Sequence, residues 1–211
     1  MILGPSTGLI LFGENMTWIQ TNSIKKFDIL NPRPEMVDIN DIANSLSHLC
    51  RYNGHSNKMY TVAHHSVLVA KTLELMGESP EVVFWGLCHD FSEAYCGDMP
   101  YPLKSHPSMA PFREAEARIV AAICEKFKIK GDEPDIVKAV DRGMVAYERE
   151  HKVVYDSLHK DWGIIKIPYG MDEAISKMDD FEKIINMSIN EIKSMLISEF
   201  WRLIVVEGKE K

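Results

Sequence analysis

Apolar positions along this chain recur mostly at helical spacing, and only one short stretch alternates as strands do. TWIQT and IKKFDI, on either side of Asn22 and Ser23, alternate for a few residues each and predict a hairpin. Beyond them the spacing is helical. NPRPEMVDINDIANSLSHLCR opens as a proline-punctuated loop and continues as a helix with Ile42, Leu46 and Leu49 on one side, capped by Asp38 or Asn40. YTVAHHSVLVAKTLELMG predicts a second helix that stops at Gly77. Residues 80–96 predict a third, begun by Pro80 and so apolar that both of its faces need cover. After the proline-rich loop DMPYPLKSHPSMAP come two more helical patterns, FREAEARIVAAICEKFKI and GDEPDIVKAVDRGMVAYEREHKVV, the latter with Asp132 as its cap and Pro134 in its first turn. Residues 158–170 read as a loop, and ISKMDDFEKIINMSINEIKSMLISEFWRLIVVE reads as one or two amphipathic helices. The predicted class is all-α, a helical bundle with a small N-terminal β-hairpin. Residues 16–211 form its single domain, and residues 1–15 form an extension unlike the rest in composition and a candidate for disorder.

The bulk numbers narrow the function without naming it. With 211 residues, 45% apolar and 26% charged, the chain has material for one sizeable core. A net charge of −7 argues against gripping nucleic acid, which takes clustered Lys and Arg, while a small anion still fits a local cationic pocket. Cys50, Cys88, Cys96 and Cys124 form no CxxC pair, and three of them fall in apolar helical patterns, as small hydrophobes do in a reducing cytoplasm. No apolar run is long enough to span a bilayer and the N-terminus lacks the basic region of a signal peptide, so the expectation is a soluble, cytoplasmic protein without a membrane partner.

One stretch breaks the apolar pattern. In GLCHDFSEAYCGD, residues 86–98, four titratable side chains follow a greasy run, and burying a charge without compensation costs several kcal/mol or more. Ion pairing and a metal are both adequate compensation. On a continuous helix Glu93 lies four residues beyond His89 and three beyond Asp90, which directs all three into one small volume. Two other helices add to them. His65 shares its face with Leu68, Val69, Thr72 and Met76 and points inward, whereas His64 shares one with Lys71 and is expected to face solvent. Asp141 lies on the stripe of Val137, Met144 and Val145, while Asp135 sits in the first turn, where a carboxylate merely favours the helix dipole. A single inward His or Asp is more often a satisfied core residue than a ligand. Three helices each contributing one is harder to attribute to ion pairing alone. His65, His89, Asp90 and Asp141 make a two-histidine, two-carboxylate set suited to a divalent Mn, Fe, Co, Ni or Zn ion with positions left for water and substrate, and spacing does not choose among these ions.

These residues carry a resemblance. The set H65, H89-D90 and D141, with Glu93 completing HDxxE and GDxPxPxK following it, resembles the HD-domain metal-dependent phosphohydrolases. SLSHLCRYNGH, YTVAHHSVLVA, HDFSEAYCGDMPYPLK and AVDRGMVAYERE are similar to the corresponding blocks of bacterial 5'-deoxynucleotidases and of prophage and viral deoxyadenosine triphosphohydrolases, over about residues 17–150. The resemblance implies an HD-domain bundle that hydrolyses 2'-deoxynucleoside 5'-phosphates, dATP among them, to deoxynucleoside and phosphate or tripolyphosphate. It implies His65, His89, Asp90 and Asp141 as metal ligands, with Mg accompanying the phosphates, and Glu93 as the acid/base residue. It implies Arg51 on the phosphate, Asp98 reading the sugar near its 3'-hydroxyl, and Lys104 lending charge to the phosphates. Tyr52 stands where the monophosphatases carry a tryptophan and is expected to stack on the base. Relatives self-associate, so a homo-oligomer is expected. The alternatives are a non-catalytic metal-dependent nucleotide sensor and a hydrolase of another phosphate ester. His55, His106, His151 and His159 receive no role.

Overall fold

The computed structural model describes residues 16–151, 153–154 and 165–206; the extension 1–15, residues 158–164 of the expected loop, and His159 lie outside them. Strands β1 (Trp18–Gln20) and β2 (Lys26–Asp28) pair antiparallel with Ile19 opposite Phe27, which confirms the expected hairpin. Alternation turns Phe27 inward, where its ring stacks on Tyr95 with centroids 3.6 Å apart. The Ser23 N–H and hydroxyl both donate to Asp41 at 2.7 Å, so the hairpin turn is fastened to the next helix.

Helix α1 (Ile39–His48) is capped by Asp38, whose side chain accepts from the Asn40 N–H at 2.9 Å. Helix α2 (Val62–Leu75) ends before Gly77, which adopts φ +83° as the left-handed C-terminal stop. There follow α3 (Pro80–Cys88), α4 (Glu93–Cys96), α5 (Tyr101–Lys104), α6 (Ala110–Phe127), α7 (Asp135–Glu150), α8 (Met171–Ser176), α9 (Phe181–Ile184) and α10 (Ile189–Val206). The class is the expected one, mostly helical with a two-stranded N-terminal hairpin. Helix α2 lies at the centre, in contact with α1, α3, α7, α8 and α10. On its far side α10 closes the core through Phe200, whose ring meets Phe84, Phe91 and Phe127. The four cysteines are thiols, Cys88 buried and the others half-buried.

Helices α2 and α3 touch at Gly86, where an added Cβ would lie 2.3 Å from Leu73 Cδ1. Leu73 is itself fully buried and has nowhere to retreat. Gly86→Ala should therefore destabilise the fold by about 1–3 kcal/mol through overpacking. Urea unfolding measures this directly, and an unchanged midpoint would contradict so close a contact.

Four local expectations are corrected. The helix expected over residues 80–96 breaks into α3 and α4, because the intervening amides turn tightly: Phe91 N–H donates to the Cys88 carbonyl and Glu93 N–H to that of Asp90, each at 3.0 Å. His64 is fully buried rather than solvent-facing. The Thr61 N–H donates to its Nδ1 at 3.1 Å, its Nε2–H donates to the Met187 carbonyl at 3.1 Å, and Lys71 on the same face pairs with Asp180 at 2.8 Å. The C-terminal region covers this side of α2. Asp132 is not a cap, since α7 starts at Asp135 directly after an extended Pro134. The C-terminal region holds three helices, and the last opens with a Ser188–Glu191 capping box in which Glu191 accepts from the Ser188 N–H at 2.8 Å.

Candidate metal centre

Three elements bring His65, His89 and Asp141 together into one group, and Asp90, expected as a fourth ligand, stands beside that group rather than in it. His65 comes from the buried face of α2, Asp141 from α7, and His89 and Asp90 from the tight turn after α3. Consecutive residues of an α-helix point about 100° apart, so the break in the helix allows His89 and Asp90 to face the same point. His65 Nε2 lies 2.9 Å from Asp141 Oδ1, and His89 Nε2 lies 3.1 Å from Asp90 Oδ2. The crossed distances, His65 Nε2 to Asp90 Oδ2 and His89 Nε2 to Asp141 Oδ1, are both 3.9 Å. Metal–ligand bonds of about 2.0–2.2 Å put two ligands of one ion at most about 4.4 Å apart, and all four separations fall within that limit. The ligand atoms of His65, His89 and Asp141 all lie within 4.8 Å of one another, which makes these three a group able to hold a metal ion.

The donor chemistry fits a cation. His89 Nδ1 donates to the Gly86 carbonyl at 2.8 Å, and His65 Nδ1 donates to Glu148 Oε1 at 2.9 Å. A carbonyl and a carboxylate only accept, so each Nδ1 carries its hydrogen and each Nε2 faces the centre, where it either holds a proton against the carboxylates or offers a lone pair to a cation in the proton's place. His89 Nε2 is buried with no hydrogen-bond partner. Lone pairs facing carboxylates at about 3 Å are stable only with positive charge between them. The same carboxylates favour a charged imidazole: burial opposes charging His89, yet Asp90 and Asp141 outweigh it and push its pKa up to about 9. Burial likewise opposes ionising Asp90, but His89, His65 and Arg51 hold it well below the ordinary carboxylate range.

Around this centre stand the other residues singled out by the sequence. Arg51 is largely buried, 3.7 Å from Asp90 and 3.6 Å from Glu148, both beyond hydrogen-bond reach, and its Nε has no partner. Glu93 is buried with Oε2 unpartnered, and burial together with the nearby carboxylates of Asp90 and Asp98 raises its pKa well above the usual value. Asp98 is half-buried, and burial lifts its pKa too. Lys104 donates to Glu116 at 2.6 Å, so its charge reaches the site already shared. Tyr52 gives its hydroxyl to Glu148, and the Arg51 guanidinium lies 5.5 Å above its ring.

Sequence reasoning passed over Glu148 and Tyr60, both fully buried, and Glu133, a half-buried carboxylate whose pKa is raised mainly by burial with His89 among its charged neighbours. A signal for Glu148 existed: it is seven residues beyond Asp141 on the inward stripe of the same helix.

Fold and site together define a helical bundle with a hairpin at its N-terminus and a candidate His-His-Asp metal group between its central helices. No family model matches the chain. It is 38% identical over 134 residues to the uncharacterized protein YfdR of Escherichia coli, across 64% of this chain and 71% of YfdR, and it belongs to the same family. It is also 32% identical over 127 residues to an uncharacterized protein of Rhodobacter capsulatus, across 57% of this chain and 63% of that protein. Among the described residues no helix is long and apolar enough to cross a membrane.

Proposed function

We propose that the chain is a metal-dependent phosphohydrolase of the HD type acting on 2'-deoxynucleoside 5'-phosphates in the cytoplasm. The observation that carries this reading is the convergence of two imidazoles, with tautomers fixed by Gly86 and Glu148, on two carboxylates beside a buried guanidinium with a donor to spare. The donor set suits Mn, Fe, Co, Ni or Zn. An ion held by these side chains supplies Lewis acidity, acidifying water and withdrawing charge from a phosphoryl oxygen.

The protein's own groups do the rest. Arg51, whose guanidinium lies 3.7 Å from Asp90 and 3.6 Å from Glu148, binds the phosphoryl oxygens and holds the phosphorus in line with the incoming water. Glu93 moves the proton from that water to the departing 5'-oxygen, so the P–O5' bond breaks as water adds to phosphorus. Lys104 contributes charge that it shares with Glu116. Asp98, half-buried, takes the sugar hydroxyl. A pure nucleotide sensor gains nothing from an unpartnered carboxyl facing an anionic ligand, which favours turnover.

The test is a panel of ribo- and deoxynucleoside mono-, di- and triphosphates offered to the ion-loaded protein, with products separated by chromatography. Deoxynucleotides should be cleaved, giving phosphate or tripolyphosphate, and ribonucleotides should be cleaved about a hundredfold more slowly or worse. Asp98→Ala should narrow that preference about tenfold or more. Tight binding without turnover would leave the sensor in its place, and equal cleavage of both sugars would remove the role of Asp98.

A further inference from the structure

Glu148 is fully buried near the end of α7 and gathers groups from two other segments. Its Oε1 accepts from His65 Nδ1 at 2.9 Å and from the Tyr60 hydroxyl at 2.8 Å, with Arg51 Nε at 3.6 Å, while Oε2 accepts from the Tyr52 hydroxyl. The metal-side imidazole and the phosphate-side guanidinium thus face the same carboxylate.

The backbone around Arg51 gives this contact a second purpose. Tyr52 and Asn53 adopt φ +56° and +52°, and Gly54 follows at +76°. Left-handed backbone is uncommon for a bulky aromatic and persists where surrounding contacts hold it. The hydroxyl of Tyr52 on Glu148 is such a contact. The segment after the turn is fastened to the same end of α7, since the Asn57 N–H donates to the Val153 carbonyl and the Val153 N–H donates to that of Glu148, each at 2.8 Å.

We propose that Glu148 is a positioning residue that couples the two halves of the site: it orients His65 toward the cation and, through Tyr52, holds the turn that aims Arg51 at the substrate phosphate. The inference rests on the reading above, in which the centre binds a divalent ion and a phosphoryl group. Carboxylates behind ligating imidazoles commonly matter by about 10–100-fold in metal affinity. Here the same residue should also affect anion binding, because removing it frees the strained turn.

The experiment is calorimetric titration of the chelator-stripped full chain, first with Mn(II) alone and then, once loaded, with inorganic phosphate. Glu148→Gln should weaken Mn(II) binding about 10–100-fold and weaken phosphate binding to the loaded protein as well. Tyr52→Phe, which removes only the restraint on the turn, should keep Mn(II) affinity within about twofold while weakening phosphate several-fold. A melting curve of each stripped variant separates positioning from unfolding. A wild-type chain that binds Mn(II) beside a Glu148→Gln chain that binds it equally well would overturn the role of Glu148 and leave the function standing. Unchanged phosphate affinity in Tyr52→Phe would overturn the coupling even if Glu148→Gln proved unable to fold. Failure of the wild type to take up the ion removes the function itself, and the inference with it.

Discussion

His89→Ala should lose hydrolysis by about a thousandfold or more and lose its bound ion at the same time. Lewis acidity in such reactions contributes several kcal/mol to the transition state, and each 1.36 kcal/mol is a factor of ten in rate. His89 is the telling residue because its Nε2 is buried and faces the carboxylates of the centre, Asp90 at 3.1 Å and Asp141 at 3.9 Å, so that atom's use lies in the centre itself. Its other nitrogen makes one bond, to the Gly86 carbonyl, and the helix that precedes it is held by Phe84, Trp85 and Leu87 in the core. The fold should therefore survive the substitution. Phosphate release, elemental analysis and a melting curve on one preparation check the three parts. Turnover within tenfold of the wild type would show that the imidazole is a core residue whose partner lies elsewhere.

Glu93→Gln should separate chemistry from metal binding. The side chain keeps its size and its buried place but can no longer take up or release the proton, and a positioned acid/base group typically contributes about 10²–10⁴-fold. kcat should fall by that amount with the ion retained. The electrostatics point the same way: burial and the carboxylates of Asp90 and Asp98 raise the Glu93 pKa above the usual carboxylate range, toward that of a group able to take a proton from water and hand it to a leaving oxygen. A Glu93→Gln protein with a full complement of ion and undiminished kcat would transfer the proton step to another group.

Much of this was readable along the chain, and the parts that were not have physical reasons. The hairpin, the Asp38 cap and the stop at Gly77 are set by local chemistry, and they stand where residue type places them. The meeting of His65, His89 and Asp141 followed from polar residues on inward stripes, a signal that survives without knowing how the helices cross. The break after Cys88 was hidden because Phe91 and Tyr95 continue the apolar spacing of the helix, while the tight turn between them answers to tertiary demands. His64 was misjudged because its face is covered by residues more than a hundred positions later, Met187 and Asp180 among those packed there. Lys104 looked available in a proline-stiffened loop, and only the packing of α6 supplies the Glu116 that engages it. Glu148 was legible by its spacing from Asp141, but a glutamate in AYERE reads as a surface residue until Tyr52, Tyr60 and Arg51 are folded around it.

The account turns on one cation joining α2, the turn after α3, and α7. Pulsed electron paramagnetic resonance on the Mn(II)-loaded chain reads this directly, because it detects nitrogen nuclei bound to the ion. The account predicts one ion per chain coupled to two imidazole nitrogens, with both couplings absent from His89→Ala, which no longer holds the ion. A bound ion without imidazole coupling, or no ion above the level taken up by a His65, His89 double variant, would contradict it.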